Sequence, residues 1–595
     1  MLLKDGIGRR EFLALSGSVV AAGGVSVFAA EHEAPKRPAP PVTPPIRYSL
    51  DLGYRAPRSG PVTALKNGDL LWITTDPEAP YLSRSMWKLS RLALRRSGDG
   101  GKSWGKAQIL QRGSKEYSVM SFGLRRLLSG KLLHVFARSG GYDYETGTPE
   151  KSLRELFFQF SNDNGKTWGS AQKMTTGERY HGDVLSFEQL RDGRIVYPFC
   201  FLTNVRSQFA ISVMYSDDDG KAWSRSKSIL TTGGGGFESG ASEPTVVELK
   251  NGRLWMLIRA QTGVLWESFS DDRGETWSSA RESMLPSSNA PATALRMRNG
   301  DIAVAWNAHV RSNYARQSLV VGLTSDGQTF QGLRELDLTD FTDDPSASIP
   351  HTTYPFLTET SDGDLAVSYN KGNWSRHNRP TFAKIGTKWL TEKNELVDLA
   401  DGRTGWHTID PGPKFSAAQE SYLLNDDGLV LNIARHPQYK GTTGIIRNIP
   451  LVTDGEITVN LRPAGQEAYL LFGNSLLDPR DPFEGCLRVR FSGDKIYAAA
   501  GTEQNTQNNR RTTEYHYVSH KIKDEIEYPQ TFKAGEMLKI SVRYRAAANE
   551  VQISINDGER LTLKTIKMLG ISYMGLLVGE SGQIGFRSVK TTLNK

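Results

Sequence analysis

The sequence is poor in cysteine: Cys200 and Cys486 are the only two in 595 residues. They fall in stretches assigned below to different domains. That argues against a disulfide framework and against a cysteine-built metal centre. Helical periodicity is nearly missing, which argues against a helical bundle or an α/β fold. The net charge of +8 is spread along the chain. No Lys/Arg block with interleaved aromatics marks a nucleic-acid surface, whereas a mildly basic surface suits an anionic substrate. Nothing in the sequence calls for a cofactor or a metal.

What the sequence has is turns and aromatics: 58 Gly, 12 Trp and 21 Tyr. One eight-residue turn returns along it. It reads Ser97-Gly-Asp99-Gly-Gly101-Lys-Ser103-Trp104, and recurs at Ser161–Trp168, Ser216–Trp223 and Ser270–Trp277. A worn copy runs from Leu323 to Phe330. The closing aromatics are 64, 55, 54 and 53 residues apart, a period that signals repeated supersecondary units. Asp and Ser side chains bond nearby backbone amides in such turns, and Gly supplies the positive φ. The closing Trp is expected to anchor each turn beside the next sheet. These residues are structural.

A second repeat interleaves with the first. A turn glycine followed by an apolar strand occurs at Gly68, Gly130, Gly193, Gly252, Gly300 and Gly363. Each marks a β-hairpin. Six units of four strands describe a six-bladed β-propeller over residues 47–390. Residues 391–405 read as a polar linker. Strands without a repeat follow over 406–595, as in Leu538-Lys-Ile-Ser-Val-Arg-Tyr544. They read as a β-sandwich of lectin-like jelly-roll type and a candidate carbohydrate-binding module. The chain is therefore expected to be all-β, with a propeller that folds without the sandwich.

At the N-terminus, Arg9-Arg10-Glu-Phe12-Leu13 precedes an apolar run ending near Ala29-Ala30. Residues 1–30 read as a twin-arginine export signal. The run is rich in Gly, Ala and Ser, which makes a weak membrane span. The expected location is periplasmic or extracellular, with no stable membrane insertion after signal removal. Residues 31–46 carry six prolines and read as a stiff tether.

The Ser-x-Asp-x-Gly-x-Thr-Trp turns resemble the Asp-box of the sialidase (neuraminidase) superfamily, also called BNR repeats, whose members use six-bladed propellers. The boxes imply fold and not chemistry. The repeat itself locates the mouth of the propeller. The innermost strand of each blade runs into its turn glycine, so equal offsets before the glycine are equal heights. Nine or ten residues before lie Arg58 or Ser59, Met120 or Ser121, Asp183 or Val184, Ser242 or Glu243, Ala290 or Pro291, and Thr353 or Tyr354. A layer holding Arg, Asp, Glu and Tyr is not a core layer.

The resemblance implies roles for several of these residues. Three arginines grip the carboxylate of the acidic sugar, and Arg58, Arg259 and Arg316 match them, with Arg55 in Tyr54-Arg55-Ala-Pro57 as the alternate for the first. Tyr354 matches the nucleophile, and Glu243, in Ala241-Ser-Glu243-Pro244, the base that activates it. The general acid is implied on the loop after the first strand pair, which offers Asp76 and Glu78. His181 and Asp183 are further candidates for substrate contact. The implied activity is that of an exported exo-glycosidase most like a retaining exo-α-sialidase, with a glycan or glycoconjugate as partner. The alternatives are a glycosidase or lyase for another acidic or deoxy sugar, and a non-catalytic glycan-binding propeller.

Overall fold

The computed structural model describes residues 46–593 apart from 50–57, 78–89, 141–152, 206–207, 234–238, 310–315, 339–349, 374–376, 399–405, 409–421, 426–427, 433–442, 466, 476–486, 509–515, 523 and 580–581. The expected export signal lies outside these residues, as do Arg55, Glu78 and Cys486. Among the described residues no helix is long and apolar enough to cross a membrane.

Six sheets, antiparallel apart from one two-residue parallel pairing in the third, follow one another from residue 58 to residue 385. Blade one is Arg58–Ala64, Leu70–Pro77, Ser90–Ser97 and Gln108–Arg112. Blade two begins at Ser118, blade three at Glu188, blade four at Ser242, blade five at Thr293 and blade six at Pro350. Blade six supplies only three strands in sequence. Its fourth, Ile46–Ser49, comes from before blade one and pairs with His377–Ile385. The ends of the ring are thus joined by backbone hydrogen bonds.

The cores lie between blades, because each sheet presents apolar residues on both faces. Leu71, Ile73, Leu92 and Leu94 of blade one meet Val119, Leu132 and Phe136 of blade two. Val62 and Trp72 of blade one meet Ala366 and Phe382 of blade six. Side-chain bonds also join neighbouring blades: Ser368 Oγ of blade six donates to the Gly60 carbonyl of blade one at 2.7 Å, and the Ala294 amide of blade five to Thr245 Oγ1 of blade four at 2.9 Å.

The recurring turns do what their residues dictate. In the first, Ser97 Oγ accepts from the Gly101 amide at 2.9 Å and Asp99 Oδ1 from the Ser103 amide at 2.9 Å. Gly101 has φ 91°, and a Cβ there would stand 2.1 Å from Phe382. Trp104 packs edge-on against Trp72 and Phe382, with ring centroids 5.1 and 5.2 Å away. In the worn copy Thr324 takes the place of the serine, its Oγ1 accepting from the Gly327 amide at 3.0 Å.

The C-terminal part is a β-sandwich of two eight-stranded sheets. Glu395–Asp398, inside the stretch expected as linker, already pairs with Ser588–Thr591 of the last strand. Between the sheets lies a core that includes Leu470, Phe472, Val542 and Leu576. The sheet containing Glu467–Gly473 and Ile571–Val578 is apolar on its other face too. Tyr469, Leu471, Tyr573 and Leu577 join one cluster with Trp255 of blade four and Trp306 of blade five. Ser318 and Glu335 of blade five bond the Tyr573 hydroxyl at 2.7 and 3.0 Å. The sandwich and the propeller share a core.

Candidate functional site

Four of the innermost hairpins break register at one level. The shifts fall between Ser59 and Val62, Ser121 and Gly123, Ser242 and Thr245, and Thr353 and Phe356. An extra residue in a strand re-aims its side chain away from the ladder. In blades four and six the residues in this gap include Glu243 and Tyr354, with φ of 43° and 57°. A left-handed backbone costs a non-glycine residue roughly 1–3 kcal/mol, and such strain gathers at functional sites.

The two strained residues touch. The Tyr354 hydroxyl donates to Glu243 Oε1 at 2.9 Å, and both side chains are buried. Burial, reinforced by the Glu243 carboxylate, raises the phenol above its ordinary value. Burial also raises Glu243, against the opposing pull of Arg259. The second carboxylate oxygen of Glu243 pairs with Arg259 Nη1 at 2.7 Å.

Guanidinium groups surround the pair. Arg58 and Arg316 lie over the Tyr354 ring, with Cζ 5.1 and 5.5 Å from its centroid. Arg259 Nε donates to Asn289 Oδ1 at 2.6 Å. Arg316 donates from Nε and Nη2 to the Asn289 carbonyl at 3.1 and 2.6 Å. Asp183 bonds Arg154 at 2.6 Å and stands 3.5 Å from Arg58. Burial alone would raise Asp183, but Arg154, Arg58 and Arg259 hold it below the usual carboxylate range. The structure thus brings Arg58, Asp183, Glu243, Arg259, Arg316 and Tyr354 into one charged cluster.

Two expected residues are used elsewhere. Asp76 is the partner of Arg95, 2.9 Å away, and accepts from Thr74 Oγ1 at 2.6 Å. It lies within the strand Leu70–Pro77 and not on a loop, and it is 1% exposed. An ion-paired, buried carboxylate is a poor proton donor, so the geometry argues against Asp76 as the acid. His181 also gives up the role proposed for it. Its Nδ1 faces the Arg154 carbonyl at 2.5 Å and its Nε2 faces Thr176 Oγ1 at 2.7 Å. Burial lowers it to about 4, so it is a neutral brace beneath Arg154.

Arg154 and Asn289 escape sequence reading. Arg154 lies on the third strand of blade two, which carries no landmark before it. Asn289 stands one residue before Ala290, the position that spacing assigned to blade five. Met120 was placed at the mouth by spacing, and its sulfur accepts from Arg58 Nη1 at 3.0 Å.

Residues 127–367 match the model of the BNR repeat-like domain. A sialidase of Micromonospora viridifaciens is 23% identical over 376 residues, covering 56% of this chain and 55% of that protein. An anhydrosialidase of Macrobdella decora is 24% identical over 241 residues, covering 37% of this chain and 30% of its own. The chain therefore spans about half or less of the curated relatives it matches. Among solved structures, Trypanosoma rangeli sialidase aligns over 90% of this chain and 91% of its own, at 13% identity and a TM-score of 0.44. With its recurring turns and six blades, the chain carries a BNR repeat-like domain over residues 127–367 and is similar to sialidases.

Proposed function

We propose that the chain is an exported exo-glycosidase of the retaining sialidase type, removing a terminal acidic sugar from a glycan. The observation that carries this is the buried hydrogen bond from Tyr354 to Glu243, 2.9 Å long and ringed by arginines. A phenol of raised pKa is a poor nucleophile until a base takes its proton. Glu243 is that base. The Tyr354 proton passes to Glu243 as the phenolic oxygen bonds to the anomeric carbon and the bond to the aglycone oxygen breaks. Water then attacks the same carbon from the vacated side, giving a proton to the conjugate base of the acid that protonated the aglycone, and Glu243 returns its proton to the leaving phenol. Two displacements retain configuration.

A neutral tyrosine suits a sugar that bears a carboxylate on its reacting carbon, because an anionic nucleophile would be repelled. Arg259, Arg316 and Arg58 supply planar forks for that carboxylate. The departing glycosidic oxygen needs a proton from outside this cluster. Glu78, in the segment 78–89, is the remaining sequence candidate for the acid. Export through the twin-arginine signal would bring the enzyme to extracellular or periplasmic glycans.

A panel of fluorogenic glycosides tests this reading. Release from the α-sialoside, and little from neutral hexosides, is expected. Release only from another acidic or deoxy sugar would keep the chemistry and move the substrate. Glycan binding without turnover on any member would make the propeller a binding module.

A further inference from the structure

Two guanidiniums of the cluster are held by one residue that is not charged. Asn289 is 1% exposed. It sits at the apex of a tight turn in which the Ala290 amide donates to the Ser288 carbonyl at 2.6 Å. That turn presents the Asn289 carbonyl to Arg316 while the side chain reaches Arg259. Arginine only donates, so the atom facing Arg259 is the amide oxygen. The amide nitrogen must then point the other way, where it is buried and finds no partner among the described residues. An unsatisfied buried donor is costly and calls for a reason.

An aspartate would still reach Arg259, but its second oxygen would stand, charged, in the buried place of the amide nitrogen, beside an Arg259 already paired with Glu243. It would also add a negative charge to the site where an acidic sugar must bring its own. We infer that Asn289 is the positioning residue of the arginine clamp, a neutral brace that fixes Arg259 and Arg316 without neutralising them. This rests on the carboxylate-sugar reading above. The amide braces the clamp and keeps it electropositive.

The test compares wild type with Asn289→Asp and Asn289→Ala. Calorimetry with 2,3-dehydro-N-acetylneuraminic acid and its methyl ester gives affinity, and thermal unfolding gives stability. Asn289→Asp should bind the acid at least tenfold more weakly and bind the ester unchanged. Its KM for an acidic substrate should rise more than its kcat falls. Asn289→Ala should lose both stability and affinity for the acid. Wild-type affinity for the acid in Asn289→Asp would overturn the inference while leaving the substrate reading in place. Equal wild-type binding of acid and ester would instead overturn the substrate reading and this inference with it.

Discussion

Replacing Leu471 with alanine should destabilise the propeller, although Leu471 belongs to the sandwich. Its strand, Glu467–Gly473, alternates between two cores. Leu470 and Phe472 face the interior of the sandwich, and Tyr469 and Leu471 join Trp255 and Trp306 of blades four and five. Leu471 is fully buried. Leu→Ala at such a site costs about 2–5 kcal/mol through lost burial and the cavity left behind. That is a large share of the 5–15 kcal/mol that typically holds a domain together. Trp406 is the only tryptophan beyond residue 390, so tryptophan fluorescence reports chiefly on the propeller. Urea unfolding followed by fluorescence should therefore move to a lower midpoint in Leu471→Ala. A chain ending at Asn394 should be insoluble, because Trp255, Trp306 and their neighbours lose their cover. If that chain is soluble and unfolds cooperatively, and Leu471→Ala leaves the fluorescence midpoint in place, the shared core has no energetic weight.

Arg259→Lys keeps the charge but cannot serve Glu243, Asn289 and a substrate carboxylate together. It should lose a charge-assisted hydrogen bond of about 1.5–3 kcal/mol, roughly ten- to a hundredfold in affinity for an acidic sugar, and calorimetry should show a smaller loss for the methyl ester. Because burial raises Glu243 above its ordinary 4.5, the acid limb of kcat/KM should lie above that pH, and the limb should vanish in Glu243→Gln. Buried His134 and His181 are held neutral, with values lowered from 6.5 to about 3 and about 4. The unfolded chain takes up both protons first, so the stability they contribute is full above pH 6.5 and is lost as pH falls. Between pH 6.5 and 4.5 the two histidines should cost roughly 5 kcal/mol, with Glu243 acting in the opposite direction, and an unchanged urea midpoint in a variant with Glu243→Gln would contradict it.

The propeller is readable because its repeats are local. A turn of Ser, Asp and Gly closes on itself, and its spacing counts the blades. Equal offsets before the turn glycines also set Glu243 and Tyr354 at one height, which is why two residues 111 positions apart meet. The same counting slips by one at blade five, where the segment before Thr293–Arg296 turns sharply and Asn289 takes the place given to Ala290. Asp76 misled for a different reason. Thr-Thr-Asp-Pro looks like the start of a loop, yet the strand continues to Pro77 and its partner strand brings Arg95 alongside. No local pattern announces a diagonal partner across a hairpin. The shared core did leave a trace, in Tyr469-Leu-Leu-Phe472. An unbroken apolar run marks a strand buried on both faces, whereas a free-standing sandwich would alternate.

The central claim is that Tyr354 attacks the anomeric carbon with Glu243 as its base. The most direct measurement is trapping with a 2,3-difluorinated sialosyl fluoride, whose slow second step lets the glycosyl-enzyme accumulate, followed by digestion and peptide mapping. The account predicts a label on the Tyr354 oxygen, absent in Tyr354→Phe, and a label that forms more slowly in Glu243→Gln. A label on a carboxylate such as Asp183, or full turnover by Tyr354→Phe, would contradict it.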